Sequence, residues 1–341
     1  MTEPKVIWFP AFEEALPSLE GKTVAITGCT QGIGLIVAKS CVKKGAENVL
    51  LLNRSSERAT KAEEEIKAFN ANNEGGKKTN VETIPCDLQD FASVREAIAS
   101  ICAKYDALDV LCNNAGIALV PDKATKDGYC VQMQTNHLSH FLLVKDLFPL
   151  LQKATELRGE ARIVHHTSGA RRNAGTKPDS PGLEAPFLEK NGGNLGGDSP
   201  GWSGAMAKRY QQSKLANSAF SVALAKKLEG TNVKAVLAAP GITSTGMWGH
   251  ALSKTQQASF GDRIMNAIMA RLVQSGPDGA MPILRACFDP ATENGDFFEP
   301  EKWSNAYGPA IKVEYDEKTA NPENATLLWG KSEEAVGKFD I

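Results

Sequence analysis

Short apolar runs alternate along the chain with longer segments whose apolar residues recur every three or four positions. The runs predict buried strands, and the longer segments predict helices that pack on a sheet. Strands are predicted at 23–27, 48–52, 81–85, 108–112, 161–167 and 233–238, and helices at 32–44, 56–67, 91–105, 128–151, 208–228 and 323–336. This alternation predicts an α/β fold, a single doubly wound domain with a parallel sheet over residues 1–341.

A glycine-rich turn, Thr27-Gly28-Cys29-Thr30-Gln31-Gly32-Ile33-Gly34, joins the first predicted strand to the helix that follows it. A helix that begins there offers unpaired backbone N–H groups and a partial positive charge to a pyrophosphate. The spacing differs from G-x-G-x-x-G, and an ordinary loop is the alternative, but the position between strand and helix favours dinucleotide binding in a Rossmann-type domain. The expected cofactor contacts are Gly28, Thr30, Gln31, Gly32, Ile33 and Gly34.

The second predicted strand ends at Asn53 and Arg54, where a residue that contacts the cofactor ribose is expected. An aspartate there would bind both ribose hydroxyls and repel a 2′-phosphate, whereas Asn53 is uncharged and Arg54 can bind a phosphate with two N–H groups. The sequence therefore predicts a preference for NADP(H). In the alternative interpretation, Arg54 only begins a charged surface helix.

Other predicted strands also end in residues that suit a cofactor cleft. Asp87 and Leu88 follow the third strand, and the Asp87 carboxylate can accept a hydrogen bond from the adenine amino group. The small residues Asn114, Ala115 and Gly116 follow the fourth strand, where they leave room for a ligand, although a polar turn alone would explain them. Pro240 and Gly241 follow the sixth strand at the same end of the sheet, where open α/β folds bind ligands.

The order of motifs along the chain resembles that of the short-chain dehydrogenase/reductase superfamily. The motifs are the glycine turn, Asp87-Leu88, Asn114-Ala115-Gly116, Asn136, Ser168, Tyr210, Lys214 and Pro240-Gly241. Three segments are similar to the superfamily's retinol dehydrogenase-like and protochlorophyllide reductase-like branch: 53–55, 212–217 and 328–334. The resemblance implies a catalytic set of Asn136, Ser168, Tyr210 and Lys214. It also implies that Tyr210, Lys214, Pro240, Gly241 and Thr243 contact the cofactor.

Tyr210 and Lys214 are four residues apart, so they share one face of a predicted helix. The pKa of tyrosine is ordinarily about 10, and one ammonium about 4 Å away is expected to lower it enough for acid–base work near neutrality. Ser168 can donate a hydrogen bond to the substrate oxygen. By resemblance, Asn136 holds a water that connects the lysine to solvent. If only the spacing of Tyr210 and Lys214 is considered, the alternative is that both side chains lie on a solvated helix face.

Three segments depart from a compact domain of this kind. An insertion at about 170–207 separates Ser168 from Tyr210 and is expected either to wall the substrate pocket or to form a surface excursion. A substrate lid is expected at about 242–262, with Met247, Trp248 and Phe260. A C-terminal extension at about 296–341 is expected to fold back across the substrate side or to serve packing alone.

Composition restricts the partners of the protein. The 341 residues include 38 basic and 40 acidic side chains, a net charge of −2, which gives no electrostatic argument for nucleic acid or an anionic membrane. No apolar run is long enough for an integral membrane span, and the opening lacks a signal pattern, so a cytoplasmic location is expected. Seven scattered cysteines are typical of reduced thiols. A monomer or a homodimer is expected.

The histidine pairs at 137 and 140 and at 165 and 166 lack a third ligand at suitable spacing, and no metal is expected. The leading hypothesis is an NADPH-dependent reductase, or the reverse alcohol dehydrogenase, that acts on a carbonyl of a bulky apolar small molecule. Hydride would come from the nicotinamide and the proton from Tyr210. The alternatives are reduction of a carbon–carbon double bond and a non-catalytic protein that senses NADPH or acts as a scaffold.

Overall fold

The computed structural model describes residues 4–72, 78–175, 180–244 and 273–341. Its centre is an eight-stranded sheet in the order β3-β2-β1-β4-β5-β6-β7-β8. All neighbouring strands are parallel except β7 and β8, which are antiparallel. The strands are β1 Thr23–Thr27, β2 Asn48–Asn53, β3 Asn80–Pro85, β4 Val110–Asn113, β5 Ala161–His166, β6 Val233–Ala238, β7 Phe297–Lys302 and β8 Tyr307–Lys312.

Helices cover both faces of the sheet. In the described ranges they are α1 Phe9–Ala15, α2 Gly32–Lys43, α3 Glu57–Ala71, α4 Phe91–Lys104, α5 Val131–Met133, α6 Ser139–Arg158, α7 Ala205–Lys227, α8 Gly276–Phe288, α9 Glu317–Ala320 and α10 Pro322–Val336. A π-helical turn, Gln134–Leu138, joins α5 to α6. The strand order reverses between β1 and β4, which is where open α/β sheets bind ligands.

The core has two layers because side chains of a strand alternate between the faces of the sheet. Val24 and Ile26 of β1 belong to the apolar cluster that includes residues of α2 and α8, whereas Ala25 belongs to the cluster built with α4, α6 and α7. A parallel sheet that is covered on both faces requires apolar residues at successive strand positions. This requirement explains why β1 is buried along its whole length.

The predicted fold class is confirmed, and the six predicted strands coincide with β1 to β6 within two residues at each end. The structure adds β7 and β8, which were not among the predicted strands, at one edge of the parallel sheet. Both added strands contain proline and at least one charged residue, so neither has the apolar pattern of a strand. Proline is tolerated in β8 because one side of this edge strand has no ladder partner, and in β7 because Pro300 lies beyond the two residues that pair with β6.

The C-terminal extension contributes two strands to the sheet and one helix to the packing of a sheet face. The β7–β8 hairpin adds to the sheet, and its turn contacts the residues after β6, where the Ile242 N–H donates to the Ala306 carbonyl over 2.9 Å. Helix α10 packs against α6 and α7, with Leu328 fully buried and Trp329 against the apolar core. The hairpin therefore reaches the ligand end of the sheet, and α10 packs on the helices of one face. Most of the expected lid, from residue 245 onward and including Met247, Trp248 and Phe260, lies outside the described residues.

Candidate active site

The glycine turn is shaped by its contact with the end of β4. A side chain at Gly28 would place its Cβ 2.9 Å from the Ala115 Cβ, and one at Gly34 would collide with the Gly28 carbonyl and lie 2.6 Å from the Asn114 amide nitrogen. Asn114 donates from that nitrogen to the Thr27 carbonyl over 2.9 Å and to the Gly28 carbonyl over 3.3 Å. Asn114 therefore braces the turn from within the cleft.

The start of α2 has no capping side chain among the described residues. Gln31 occupies the N-cap position, and its side chain makes no capping hydrogen bond. Gln31 is exposed, Gly32 is half-buried and Ile33 is 6% exposed. The N–H groups of this first helical turn therefore have no capping side chain, which is the condition under which a helix start binds phosphate.

Asn53 and Arg54 at the end of β2 have different environments. The Asn53 carbonyl oxygen accepts from the Cys29 N–H over 2.8 Å, and its amide nitrogen is buried without a hydrogen-bond partner in the described chain. Arg54 is exposed, and no hydrogen bond or ion pair links its side chain to any described residue. Arg58, in the first turn of α3, is exposed in the same way. Arg58 was not predicted from the sequence as a cofactor contact, although it follows Arg54 by only four residues.

The remaining cofactor candidates surround the same end of the sheet. Asp87 uses one carboxylate oxygen to accept from the Gln89 N–H, and the Leu88 carbonyl accepts from the Ser139 hydroxyl. Thr243 is buried, and its hydroxyl donates to the Pro240 carbonyl over 3.0 Å. These bonds hold the two turns in place. The Pro240 carbonyl also accepts from the Gln274 side chain over 2.6 Å, whereas the second Asp87 oxygen makes no hydrogen bond within the described ranges.

The catalytic candidates converge beside this cleft. Helix α7 carries Tyr210 and Lys214, and Ser168 follows β5. The Lys214 ammonium donates to the His166 carbonyl over 3.0 Å and lies 5.8 Å from the centre of the Tyr210 ring. The Ser168 hydroxyl is a hydrogen-bond partner of Tyr210. The proposed acid, its hydroxyl neighbour and an amine thus occupy one site.

The protonation of the pair differs from the expectation. Burial raises the pKa of Tyr210, and the Ser168 hydrogen bond opposes this only in part. Burial also lowers the pKa of Lys214 to about 7. The expectation that Lys214 lowers the pKa of Tyr210 is therefore not met in the protein alone. The physical reason is that desolvation of both groups outweighs their mutual attraction, since the ammonium hydrogen-bonds a main-chain carbonyl instead of the phenol.

Asn136 lies in the π-helical turn and is fully buried. Its side chain accepts from the Ile117 N–H over 2.8 Å and donates to the Ile117 carbonyl over 2.9 Å and to the Ser213 hydroxyl over 2.8 Å. A Cβ at Gly116 would lie 3.3 Å from both the Asn136 oxygen and the Lys214 nitrogen. Asn136 therefore fixes the loop after β4 at the point where that loop meets Lys214.

Two histidines connect these parts, a role that sequence reasoning missed because it considered them only as metal ligands. His140 donates from Nδ1 to the Asn136 carbonyl over 2.9 Å and contacts the Thr27 hydroxyl through Nε2 at 2.9 Å. His166 contacts the Asn114 carbonyl oxygen through Nδ1 at 3.0 Å.

In the described ranges, no group of three or more histidine, cysteine or acidic side chains is arranged to hold a metal ion.

The described part of the insertion lies against α7. The Gln212 side chain accepts from the Glu184 N–H and donates to the Gly182 carbonyl, which pins the insertion to the helix. Among the apolar residues of the insertion, Phe187 and Trp202 line a cavity, whereas Leu188 is in the core. The cavity measures about 620 Å³ and is lined by Asn173, Gly175, Glu184, Phe187, Pro200, Gly201, Trp202, Ser203, Lys208, Gln211 and Gln212.

Comparison with known proteins places this arrangement in a family. The short chain dehydrogenase model matches residues 22–177. An uncharacterized oxidoreductase of Schizosaccharomyces pombe is 38% identical over 232 residues, which are 67% of this chain and 62% of that protein. Human polyprenol dehydrogenase is 28% identical over 334 residues, 96% of this chain and 89% of the human protein. The chain belongs to the short-chain dehydrogenase/reductase family.

A solved structure has the same fold. The crystal structure of an uncharacterized protein from Mycobacterium paratuberculosis is 25% identical and superposes with a TM-score of 0.68, covering 96% of this chain and 98% of that one. Membership makes the protein an NAD(P)-dependent oxidoreductase and confirms the resemblance to the retinol dehydrogenase-like branch. Across the described ranges, no helix has the length and apolar character needed to cross a membrane.

Proposed function

We propose that the protein is an NADPH-dependent reductase, or the reverse alcohol dehydrogenase, that acts on a carbonyl of a bulky apolar molecule. The observation that carries the proposal is the convergence of Tyr210, Ser168 and Lys214 beside the cofactor cleft. A bound nicotinamide would supply the hydride. The chain's own residues must then orient the carbonyl and deliver a proton to its oxygen.

Tyr210 suits the role of proton donor. Because burial raises its pKa, its hydroxyl carries the proton at neutral pH until a substrate oxygen acquires negative charge. The Ser168 hydroxyl donates a hydrogen bond to the same oxygen and stabilises that charge. Lys214, with a pKa of about 7, exchanges protons near neutrality and returns one to the Tyr210 site.

Two exposed arginines support the preference for NADPH. Arg54 and Arg58 have no partner in the described chain, and a 2′-phosphate at the end of β2 would provide one. No carboxylate follows β2 directly to repel the phosphate.

An apolar substrate is supported by the names of two relatives and by one local feature. Polyprenol dehydrogenase and retinol dehydrogenase 13 align with nearly the whole chain, at 96% and 94% of its length. The insertion places the aromatic side chains Phe187 and Trp202 at a cavity against the helix that carries Tyr210.

All seven cysteines are free thiols, which supports a reducing compartment such as the cytoplasm.

The deciding experiment measures NADPH oxidation in the dark with retinal, farnesal, phenanthrenequinone, an aliphatic methyl ketone and an enone. We expect turnover of at least one carbonyl, and we expect Tyr210→Phe to reduce it by three or more orders of magnitude while NADPH binding stays within about twofold. Tyr129→Phe is the matched control, because Tyr129 is also buried but lies outside the site.

The outcomes separate the proposed function from its alternatives. Tyrosine-dependent reduction of a carbonyl supports the reductase. Reduction of only the carbon–carbon double bond of the enone would favour the alkene reductase. NADPH binding without consumption of any substrate would favour a sensing or scaffolding role. Full activity of Tyr210→Phe would refute Tyr210 as the proton donor.

A further inference from the structure

The loop that carries Ser168 contains a buried arginine. A short 3₁₀ helix, Gly169–Asn173, follows Ser168, and the Ser168 hydroxyl accepts from the Ala170 N–H over 3.3 Å. The Arg171 side chain donates from Nη1 to the Ser168 carbonyl over 3.2 Å, and its backbone N–H donates to the same oxygen over 3.1 Å. Arg171 therefore binds directly to the residue that holds the proposed catalytic hydroxyl.

The guanidinium of Arg171 is held by two carboxylates and an aromatic ring. Its Nη1 pairs with Glu299 of β7 over 2.9 Å, its Nε pairs with Asp316 before α9 over 2.7 Å, and its plane lies 4.6 Å from the Phe297 ring. Arg171 is 0% exposed and Glu299 is 2% exposed. Burial of charged groups is unfavourable unless they are paired, so the two carboxylates favour this position of the guanidinium over others.

A second layer of contacts joins the same two regions of the chain. Arg172 donates to the other Glu299 oxygen over 2.7 Å, and the Lys318 ammonium of α9 donates to the Arg172 and Ala174 carbonyls. Residues of β7 and of α9, both in the C-terminal extension, thus bind the loop after Ser168. Ser168 itself makes no other side-chain hydrogen bond in the described chain apart from those to Ala170 and Tyr210.

We propose that Arg171 is a positioning residue that holds Ser168 against Tyr210, and that Glu299 and Asp316 of the C-terminal extension complete the active site by orienting Arg171. The inference rests on the proposed function, because it assigns Ser168 a catalytic hydroxyl. It explains why a segment remote in sequence carries two carboxylates to this loop. It also makes the extension part of the catalytic machinery.

The kinetic test uses Arg171→Lys, which keeps the charge but cannot reach all three partners. With a carbonyl that the wild type reduces, we expect kcat to fall on the order of 10- to 100-fold with KM for NADPH within about twofold. In a Ser168→Ala background the same substitution should cause no further loss, because Arg171 acts through Ser168. Glu299→Gln should give a smaller loss of the same kind and serves as the second variant if Arg171→Lys folds poorly.

Arg162→Lys is the matched control. Arg162 is 2% exposed, lies at the opposite end of β5, and pairs with Glu160 over 2.7 Å. It should lower stability while kcat stays within about twofold. An equal kcat loss in Arg162→Lys, or an undiminished Arg171→Lys effect in the Ser168→Ala background, would overturn the proposal.

A second measurement does not depend on turnover. Hydrogen exchange of the 168–174 segment should become at least about tenfold faster in Arg171→Lys and remain unchanged in Arg162→Lys. If no carbonyl is reduced, the proposed function fails, but this readout still decides whether Arg171 holds the loop. Unchanged exchange in this segment would show that it does not.

Discussion

At the end of β2, two neighbouring side chains have separate roles. Asn53 is 3% exposed and binds the Cys29 N–H, so it helps to shape the glycine turn. Arg54 is exposed and unpaired in the described chain, so its guanidinium is available to a ligand. We therefore expect Asn53 to give structural support and the adjacent Arg54 to act in cofactor selection.

Arg54→Ala tests this division. A hydrogen bond to a charged group contributes roughly 1.5–3 kcal/mol, so we expect the KM for NADPH to rise on the order of 10- to 150-fold. The KM for NADH should change by less than about threefold, because NADH lacks the 2′-phosphate. Lys61→Ala, which removes another exposed cation of α3, is the control. Equal changes for the two cofactors would contradict the assignment.

Two buried histidines predict how stability depends on pH. Burial lowers the pKa of His137 to about 3 and that of His140 to about 4. In the unfolded chain both have a pKa of about 6.5, so between these values the unfolded state binds protons that the folded state does not. The free energy of unfolding is therefore fully retained above about pH 6.5 and decreases as the pH falls towards 4 and 3.

The measurement is the free energy of unfolding from pH 7 to pH 4, for the wild type and for His140→Gln. Glutamine has a donor and an acceptor but does not titrate, so the variant should lose stability less steeply as the pH falls. Its stability at pH 7 is a separate quantity and does not affect the comparison of slopes. Parallel pH dependences would show that His140 is not a source of the acid sensitivity.

At the scale of elements, the turn from β1 to α2 depends on space that only glycine leaves. Gly34→Ala would place a methyl group against the Gly28 carbonyl and 2.6 Å from the Asn114 nitrogen. We expect a loss of roughly 1–3 kcal/mol of stability and weaker NADPH binding, because the turn must move. Thermal unfolding and a fluorescence titration with NADPH measure the two effects.

Gly330→Ala is the matched control for this prediction. Gly330 lies in α10, and no atom lies within 4 Å of a Cβ added there. Alanine favours a helix over glycine by roughly 0.5–1 kcal/mol, so the control should be neutral or stabilising and should bind NADPH normally. A similar loss in both variants would argue against the close contact at Gly34.

The π-helical turn at Gln134–Leu138 is another feature that belongs to this scale. The sequence predicts one helix over 128–151, since the apolar periodicity continues through Asn136. The structure has the short α5, the π turn and α6, which begins at Ser139. A π turn adds one residue without changing composition, and such turns are frequent at functional sites. Here it coincides with the residue that fixes the loop beside Lys214.

At the scale of the whole molecule, the last residues of the chain complete an aromatic cluster. Phe339 is 4% exposed, and its ring centre lies 5.5 Å from that of Phe148, 5.8 Å from that of Phe141 and 5.6 Å from that of Trp329. Phe141 also packs on Phe220 of α7. The C-terminal segment thus joins α6, α7 and α10 into one apolar layer.

Phe339→Ala tests how much this layer contributes to stability. Truncation of a buried phenylalanine costs about 3–5 kcal/mol, so denaturant unfolding should show a decrease of that order. Ile341→Ala is the control, because Ile341 is 37% exposed and its truncation should change stability by less than about 0.5 kcal/mol. Equal effects of the two substitutions would mean that the tail does not pack as described.

Local information in the sequence was enough to predict much of the fold and the residues of the candidate site. The strands β1 to β6, the glycine turn and the pairing of Tyr210 with Lys214 on one helix face all follow from apolar periodicity and from residue spacing. The family resemblance was confirmed because its motifs keep their order along the chain. Such features depend on neighbours a few residues away, so they can be read without the fold.

Tertiary structure decided what depends on distant partners. Strands β7 and β8 are strands because an open sheet edge at β6 accepts them, in spite of their prolines. The pKa values of Tyr210 and Lys214 reflect burial, which a helix face alone does not reveal. Arg171 meets Glu299 and Asp316, which are 128 and 145 residues further along the chain, only in the folded protein. Desolvation and long-range pairing set these properties, and neither is encoded in local spacing.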